Sequence, residues 1–345
     1  MKNQPEHILI TRLSAIGDCI ATLPLAAAIR DAMPDVRISW AVSCAAKDLL
    51  NICPDIDCVI PVSKRYLKEP RNLGTLRRTL REHAVDCVID PQSLSKSAVL
   101  GRLSGAPLRI GFAQPRGREL APWLNNVSIR AEAGMHLIDA QAKLLEPLGI
   151  KPTEPTFRLN VPEPTVAWAI EHVAERVDHH RPVIMNPGAG WDSRLWPTDR
   201  FGKVAAWLKQ QHQLPTLIVW AGEEERRMAE EIRKASSGAA IVAGETSLVE
   251  LAALLMRAEV FISSDTGPMH LAVAVGSRCL SLHGPTRPEM SGPYGSRHLS
   301  IQKQYVEGGS RERRSAGNEA MQLICVADVC DGLTKMLSKH KSAAA

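Results

Sequence analysis

Short apolar runs alternate along the chain with stretches whose apolar residues recur every three or four positions. In the first half, "HILITRL" (7–13), "RISWAVS" (37–43), "CVIPV" (58–62), "CVIDPQ" (87–92) and "LRIGF" (108–112) are nearly continuously apolar. That pattern predicts strands buried on both faces of a parallel sheet. A helix is expected from about Asp18, "LGTLRRTLREH" predicts another over 73–83, and "HLIDAQAKLLEPLG" predicts a third over 136–149 that closes at Gly149. Then the pattern breaks. "KPTEPTFRLNVPEPT" (151–165) holds four prolines and little helical period, so it reads as a linker. It places a first domain at 1–155, a second at 165–325, and a C-terminal helix and tail at 326–345.

The alternation restarts beyond the linker. "PVIMNPG" (182–188), "TLIVWAG" (216–222), "AIVAG" (240–244), "VFIS" (260–263) and "RCLSLHG" (278–284) predict strands. Helices are expected over 198–212, 223–235, 247–258, 269–275 and 326–339, with a frayed tail "HKSAAA". Ser247 and Glu250 form a capping box, and Gly276 closes the helix before it. Two successive series of strand–helix repeats predict an α/β fold of two Rossmann-like domains facing across a cleft.

Composition supports this picture. The 345 residues suffice for two domains, and 45% are hydrophobic but only 4% aromatic. Heavy use of alanine suits helices packed close on a sheet. The net charge of +5 does not by itself imply nucleic acid, and the basic stretches lack interleaved stacking aromatics. Eight cysteines, including Cys44, form no C-x-x-C pair and several sit in apolar runs, so they read as reduced core residues. No run approaches the ~18 apolar residues that span a bilayer. Arg12 and Asp18 break the N-terminal apolar patch, so a soluble, cytoplasmic protein without a signal peptide is expected. Contact with a membrane surface stays open.

Candidate chemistry sits in the strand–helix turns. The first, "TRLSAIGDCIATLP", holds only Gly17 and not G-x-G-x-x-G, so the dinucleotide fingerprint is missing where it belongs. It offers Asp18 at a helix start, either as a cap or as a carboxylate that takes a proton from a hydroxyl. In the second domain, "NPGAG" presents Asn186, Ala189 and Gly190 in a loop suited to close approach by a ligand. Arg194 follows, either as a solvated arginine or as a cation facing a diphosphate leaving group. Glu223 ends the next strand, where Rossmann-type sites hold ribose hydroxyls; the neighbouring acids also suit a solvated helix start.

The stretch "SSDTGPMHLAVAVG" (263–276) reads as strand, tight turn, helix. Asp265, Thr266 and Gly267 then lie at the carboxyl edge of the sheet, on a helix N-terminus that favours an anion. Pro268 suits the first turn, and His270 shares a helix face with Thr266. Asp265 as a plain N-cap beside a buried histidine is the alternative. The loop "HGPTRPEMSGPYG" (283–295) should wall the same pocket. Seven Lys or Arg between residues 64 and 81, with Arg109, Arg116 and Arg118 further on, mark either a solvated face or the seat of an acidic acceptor.

Together these motifs resemble the lipopolysaccharide heptosyltransferases of glycosyltransferase family 9. The resemblance rests on "LITRLSAIGDCIATLPLAAAIRDAMPD", "CVIDPQSLSKSAVLGRLSGAPLRIGF", "SRLWP", "SSDTGPMHLAVAVG" and "LHGPTRPEMSGPYG", in register over roughly 8–295, with first-domain details closest to the heptosyltransferase I branch. It implies a GT-B fold and inverting transfer of heptose from an ADP-sugar to Kdo on lipid A, without a metal and with no cofactor besides that co-substrate. Such an acceptor would be met at the cytoplasmic face of the inner membrane. By motif position the resemblance makes Asp18 the base and sets Arg194, where the family usually has lysine, against the donor phosphates. It assigns Asn186, Ala189, Gly190, Glu223, Asp265, Thr266, Gly267 and His270 to the donor. Lys64, Arg65, Gln92, Lys96 and Arg118 fall in regions that face the acceptor.

Other readings compete. A dehydrogenase lacks its glycine fingerprint, and an epimerase lacks Tyr-x-x-x-Lys, since Tyr66, Tyr294 and Tyr305 have no lysine four residues on. A related transferase with another nucleotide sugar or acceptor stays open. So does a non-catalytic nucleotide-sugar-binding protein, although it has no need of Asp18 and Arg194.

Overall fold

The computed structural model describes residues 4–43, 45–151, 154–177 and 181–343. The chain forms two compact units, Met1–Asn160 and Val161–Ala345. Each is built on a parallel sheet of six strands.

In the first unit the strands are β1 (His7–Thr11), β2 (Arg37–Val42), β3 (Cys58–Pro61), β4 (Cys87–Asp90), β5 (Leu108–Phe112) and β6 (Val127–Ile129), in the order β3-β2-β1-β4-β5-β6. The apolar runs sit where their composition puts them: Ile8, Leu9 and Ile10 are fully buried and pair with Cys87, Val88 and Ile89 of β4. In the second unit they are β7 (Val183–Asn186), β8 (Thr216–Ile218), β9 (Ala240–Val242), β10 (Val260–Ser264), β11 (Cys279–His283) and β12 (Leu299–Gln302), in the order β12-β11-β10-β7-β8-β9. Both sheets therefore have the doubly wound order. The chain turns back between β1 and β4 in one unit and between β7 and β10 in the other. At such a reversal the loops on either side diverge and leave a crevice beyond the strand ends. That topology fixes where to look for a site.

Several elements escape the sequence pattern for physical reasons. Strands β6 and β12 are short and only partly buried, so they show no continuous apolar run. The helix Ser95–Ser104 is rich in serine and ends on Gly105, whose φ of 82° is left-handed. The expected helix over 136–149 is α-helical only at Leu137–Ala142 and tightens to a 3-10 helix at Lys143–Leu148, where Pro147 removes a donor. The strand expected over 216–222 stops at Ile218, and Gly222, with φ of 74°, opens the helix Gly222–Ala235.

The proline-rich stretch is less free than a linker. Arg158 pairs with Asp55 at 3.0 Å and Asp31 at 2.7 Å, and from Glu163 the chain is already helical to Val177. Pro164 is tolerated because first-turn N–H groups have no helical partner anyway. The last helix, Val326–Ala343, runs through most of the expected frayed tail; residues 344–345 lie outside the described ones. It packs on the helix Thr198–Trp207 and on β12, burying Val329, Leu333 and Met336. Among the described cysteines Cys19, Cys53, Cys87, Cys279 and Cys330 are buried, whereas Cys325 is exposed and not a core residue; Cys44 lies outside the described residues. Among the described residues no helix is long and apolar enough to cross a membrane.

Candidate active site

In the second unit the reversal between β7 and β10 carries a buried ion pair. Strand β10 delivers Asp265 to the sheet edge, where only 5% of it is exposed. An Arg194 Nη2 lies 3.4 Å from Asp265 Oδ2, and Arg194 Nη1 donates to the Asp265 carbonyl at 2.9 Å. Ser291 donates to Oδ2 at 3.3 Å, and His270 Nε2 stands 4.0 Å from Oδ1. The guanidinium carbon also lies over Trp191, 3.7 Å from the ring centroid. Burial pushes the Asp265 carboxyl up, but Arg194, His283, His270 and a Thr286 hydrogen bond together outweigh it and hold it below the usual range. Asp265 is thus ionised, and it is not a plain N-cap: the cap position belongs to Thr266. The Thr266 hydroxyl turns to Ser263 Oγ at 2.9 Å and leaves the start of helix Gly267–Ala274 without a side-chain cap. A helix start of that kind takes an external anion.

His283 completes this cluster; it opens the loop expected to wall the pocket but was not itself named as a site residue. It is fully buried, between Thr286 Oγ1 at 3.4 Å and Ser281 Oγ at 3.0 Å. Burial pushes its pKa down to about 4, with Asp265 opposing, so the ring is neutral at pH 7.

The loop after β7 is organised by an acid, but not by Glu223. Glu223 is 86% exposed and faces Arg226 at 3.7 Å. Glu225 turns inward instead, accepting from Ala221 N at 2.9 Å and Asn186 Nδ2 at 3.4 Å. Burial raises its pKa and these two donors lower it in part, leaving it above the usual value. A Cβ on Gly188 would stand 1.9 Å from Glu225 Oε1, so a side chain there would displace that carboxylate; Gly190 faces open space. Asn186 is buried at the base of the loop, Ala189 half-buried and Gly190 exposed.

In the first unit the reversal between β1 and β4 gathers Asp18, Gln92 and Lys96 around the loop 12–18. Arg12, absent from the expected set, is buried there. It donates to the Pro91 carbonyl at 3.1 Å and pairs with Asp18 Oδ2 at 2.7 Å. The same Oδ2 accepts from Ala15 N at 3.1 Å, while the Asp18 side chain is 41% exposed. Gln92 Oε1 accepts from Leu13 N at 2.8 Å, and Lys96 Nζ donates to Ser14 Oγ at 3.3 Å. Tyr66 donates to the Lys96 carbonyl and so ties the next loop to this one. Lys64 and Arg65 lie exposed just before Tyr66, and Arg118 lies exposed after β5; none of the three forms an ion pair among the described residues.

Residues 73–320 match the model of glycosyltransferase family 9 (heptosyltransferase). The lipopolysaccharide core heptosyltransferase OpsX of Haemophilus influenzae is 24% identical over 314 residues, 89% of this chain and 87% of that one. Lipopolysaccharide heptosyltransferase 1 of Pseudomonas aeruginosa is 27% identical over 305 residues, 86% and 83% of the two chains. Among solved structures, a family 9 glycosyl transferase from Veillonella parvula superposes with a TM-score of 0.82 at 23% identity, covering 98% of this chain and 99% of that one. The heptosyltransferase WaaC of E. coli with ADP gives 0.73 at 21%, covering 96% and 98%. These likenesses place the two α/β units in the GT-B fold class. With more than half its length matched to the family model, the chain belongs to glycosyltransferase family 9, the heptosyltransferases.

Proposed function

We propose that this heptosyltransferase moves heptose from an ADP-sugar to a Kdo residue of a lipid A acceptor, by single displacement with inversion and without a metal. The observation that carries the reading is the Arg194–Asp265 pair beside an uncapped helix start at the β7–β10 reversal. A guanidinium held by a carboxylate, a carbonyl and an indole face is positioned before substrate arrives, so it costs no reorganisation when charge develops on the leaving diphosphate. Arginine in place of the family's usual lysine keeps the charge and adds bidentate geometry.

In this reading the acceptor hydroxyl attacks the anomeric carbon while Asp18 takes its proton. The bond from that carbon to the diphosphate oxygen breaks, and ADP leaves with the electron pair. Arg194 and the N–H groups after Thr266 receive the new charge, with Gly267 allowing close approach. Asp265 and His270 hold sugar hydroxyls. Asn186, Ala189 and Gly190 line the nucleotide, and the ribose falls to the helix start that carries Glu223 and Glu225. Gln92 and Lys96, with Lys64, Arg65 and Arg118, meet the acid groups of the acceptor.

The test is incubation with ADP-heptose and a Kdo–lipid A acceptor, with and without EDTA, followed by mass spectrometry. A heptosylated product and ADP are expected in both. Asp18→Asn should cut turnover by roughly 10²–10⁴-fold while ADP still raises the melting temperature. Failure to form product, or a chelated enzyme restored by magnesium, overturns the reading.

A further inference from the structure

The first unit carries a surface that this reaction leaves unused. From β3 to β4, β5 and β6 the chain steps across the sheet in one direction, so its right-handed crossovers stack on one side. The helices Pro70–Glu82, Ser95–Ser104 and Ala121–Leu124 form that layer, each against the next. Inward they bury Leu80, Leu100 and Ala121. Outward they show two features together.

One is apolar. Trp123 is 85% exposed and Leu120 58%, the two most exposed large hydrophobic side chains among the described residues. The other is cationic. Arg77, Arg78 and Arg81 line a groove with Gly74 and Glu82, and nothing stands within 4 Å of where a Gly74 side chain would begin. Glu82 faces Arg78 at 3.9 Å, whereas Arg77 and Arg81 have no ion pair among the described residues. Arg102 is exposed on the middle helix.

Water serves the guanidinium groups but leaves the indole on the same helical layer wet, so the layer suits a surface that is both anionic and apolar. A purely anionic partner would satisfy the arginines and leave Trp123 and Leu120 wet. A phospholipid surface satisfies both, because anionic phosphates lie directly above an apolar layer, and tryptophan favours that boundary. We infer that this helical face docks the protein on an anionic phospholipid bilayer, with Arg77, Arg78 and Arg81 against headgroup phosphates and Trp123 with Leu120 at the interface. The inference deepens the reading above, which supplies a lipid-linked acceptor.

Co-sedimentation with vesicles of phosphatidylcholine, alone or mixed with phosphatidylglycerol, tests it. The wild type should bind only the mixed vesicles. Arg77→Glu with Arg81→Glu should weaken that binding roughly 25-fold. Trp123→Ser, an exposed change that spares the fold, should weaken it several-fold, and brominated lipid should quench the wild type more than Trp123→Phe. Binding that both variants retain overturns the inference, as does no binding by the wild type. So does self-association in vesicle-free solution that the same substitutions abolish, since a second copy would then own the face. A soluble deacylated acceptor separates the two readings: wild type that binds mixed vesicles as described but transfers no heptose sinks the reaction and leaves the docking face standing.

Discussion

His283 shows how a single buried side chain ties the Arg194–Asp265 cluster to pH. Its neutral ring accepts or donates to Thr286 and Ser281 beside an ionised Asp265. Its pKa is pushed down to about 4 by burial, against about 6.5 in an unfolded chain. Between those values the unfolded state binds more protons, so stability rises with pH across the window. The contribution is fully present above about pH 6.5 and is lost as pH falls toward 4, on the order of 3 kcal/mol in all. Asp265, with its carboxyl held low, adds a loss of the same sign at more acid pH. His283→Gln should therefore flatten the melting temperature between pH 4 and 6.5, leaving a residual slope from His298, which burial also pushes down to about 4. An unchanged pH slope in the variant shows that His283 is not the group responsible.

At the scale of elements, the apolar runs that became β1, β4, β7 and β10 were legible because a doubly buried strand has no polar positions to hide it. So was the turn at 265–270, whose proline and glycine mark a helix start. What the sequence could not resolve was direction. "EEER" offers three successive acids, and which one turns inward depends on where the helix begins; Gly222 sets that start and rotates Glu225, not Glu223, toward Asn186. Arg12 was legible only as a break in an apolar run, because its partners Pro91 and Asp18 come from another strand end and a later turn. These placements yield a test. Glu225→Ala removes two hydrogen bonds that shape the loop proposed to line the nucleotide, and ADP affinity should fall about tenfold. Gly188→Ala should act alike, since its Cβ would displace the Glu225 carboxylate, the yielding end of a flexible side chain, with little loss of melting temperature. Glu223→Ala should leave affinity within about twofold. Isothermal titration with ADP decides, and the opposite ranking returns the ribose to Glu223.

For the whole molecule the question is how two cationic surfaces would share the lipid-linked acceptor proposed above. The docking face places Arg77 and Arg81 against headgroups, whereas Lys64, Arg65 and Arg118 stand on the loops at the carboxyl ends of β3 and β5, the sheet edge that also carries Asp18. Long-range attraction of a phosphorylated acceptor should reach both, but it is screened beyond about 8 Å at physiological salt. The two roles separate with a deacylated, water-soluble acceptor, which has Kdo carboxylates and phosphates but no bilayer. With that acceptor, Lys64→Glu with Arg65→Glu should raise the acceptor KM about tenfold, equivalent to 1.4 kcal/mol, and leave the ADP-heptose KM near wild type. The wild-type acceptor KM should climb with ionic strength more steeply than the donor KM, because in the proposed reaction the donor meets Arg194, which is only 16% exposed and less screened. Arg77→Glu with Arg81→Glu should change neither value. If the Lys64/Arg65 variant handles the soluble acceptor normally at low salt, those side chains are a solvated face, and acceptor recognition contracts to Gln92, Lys96 and the Arg12–Asp18 pair.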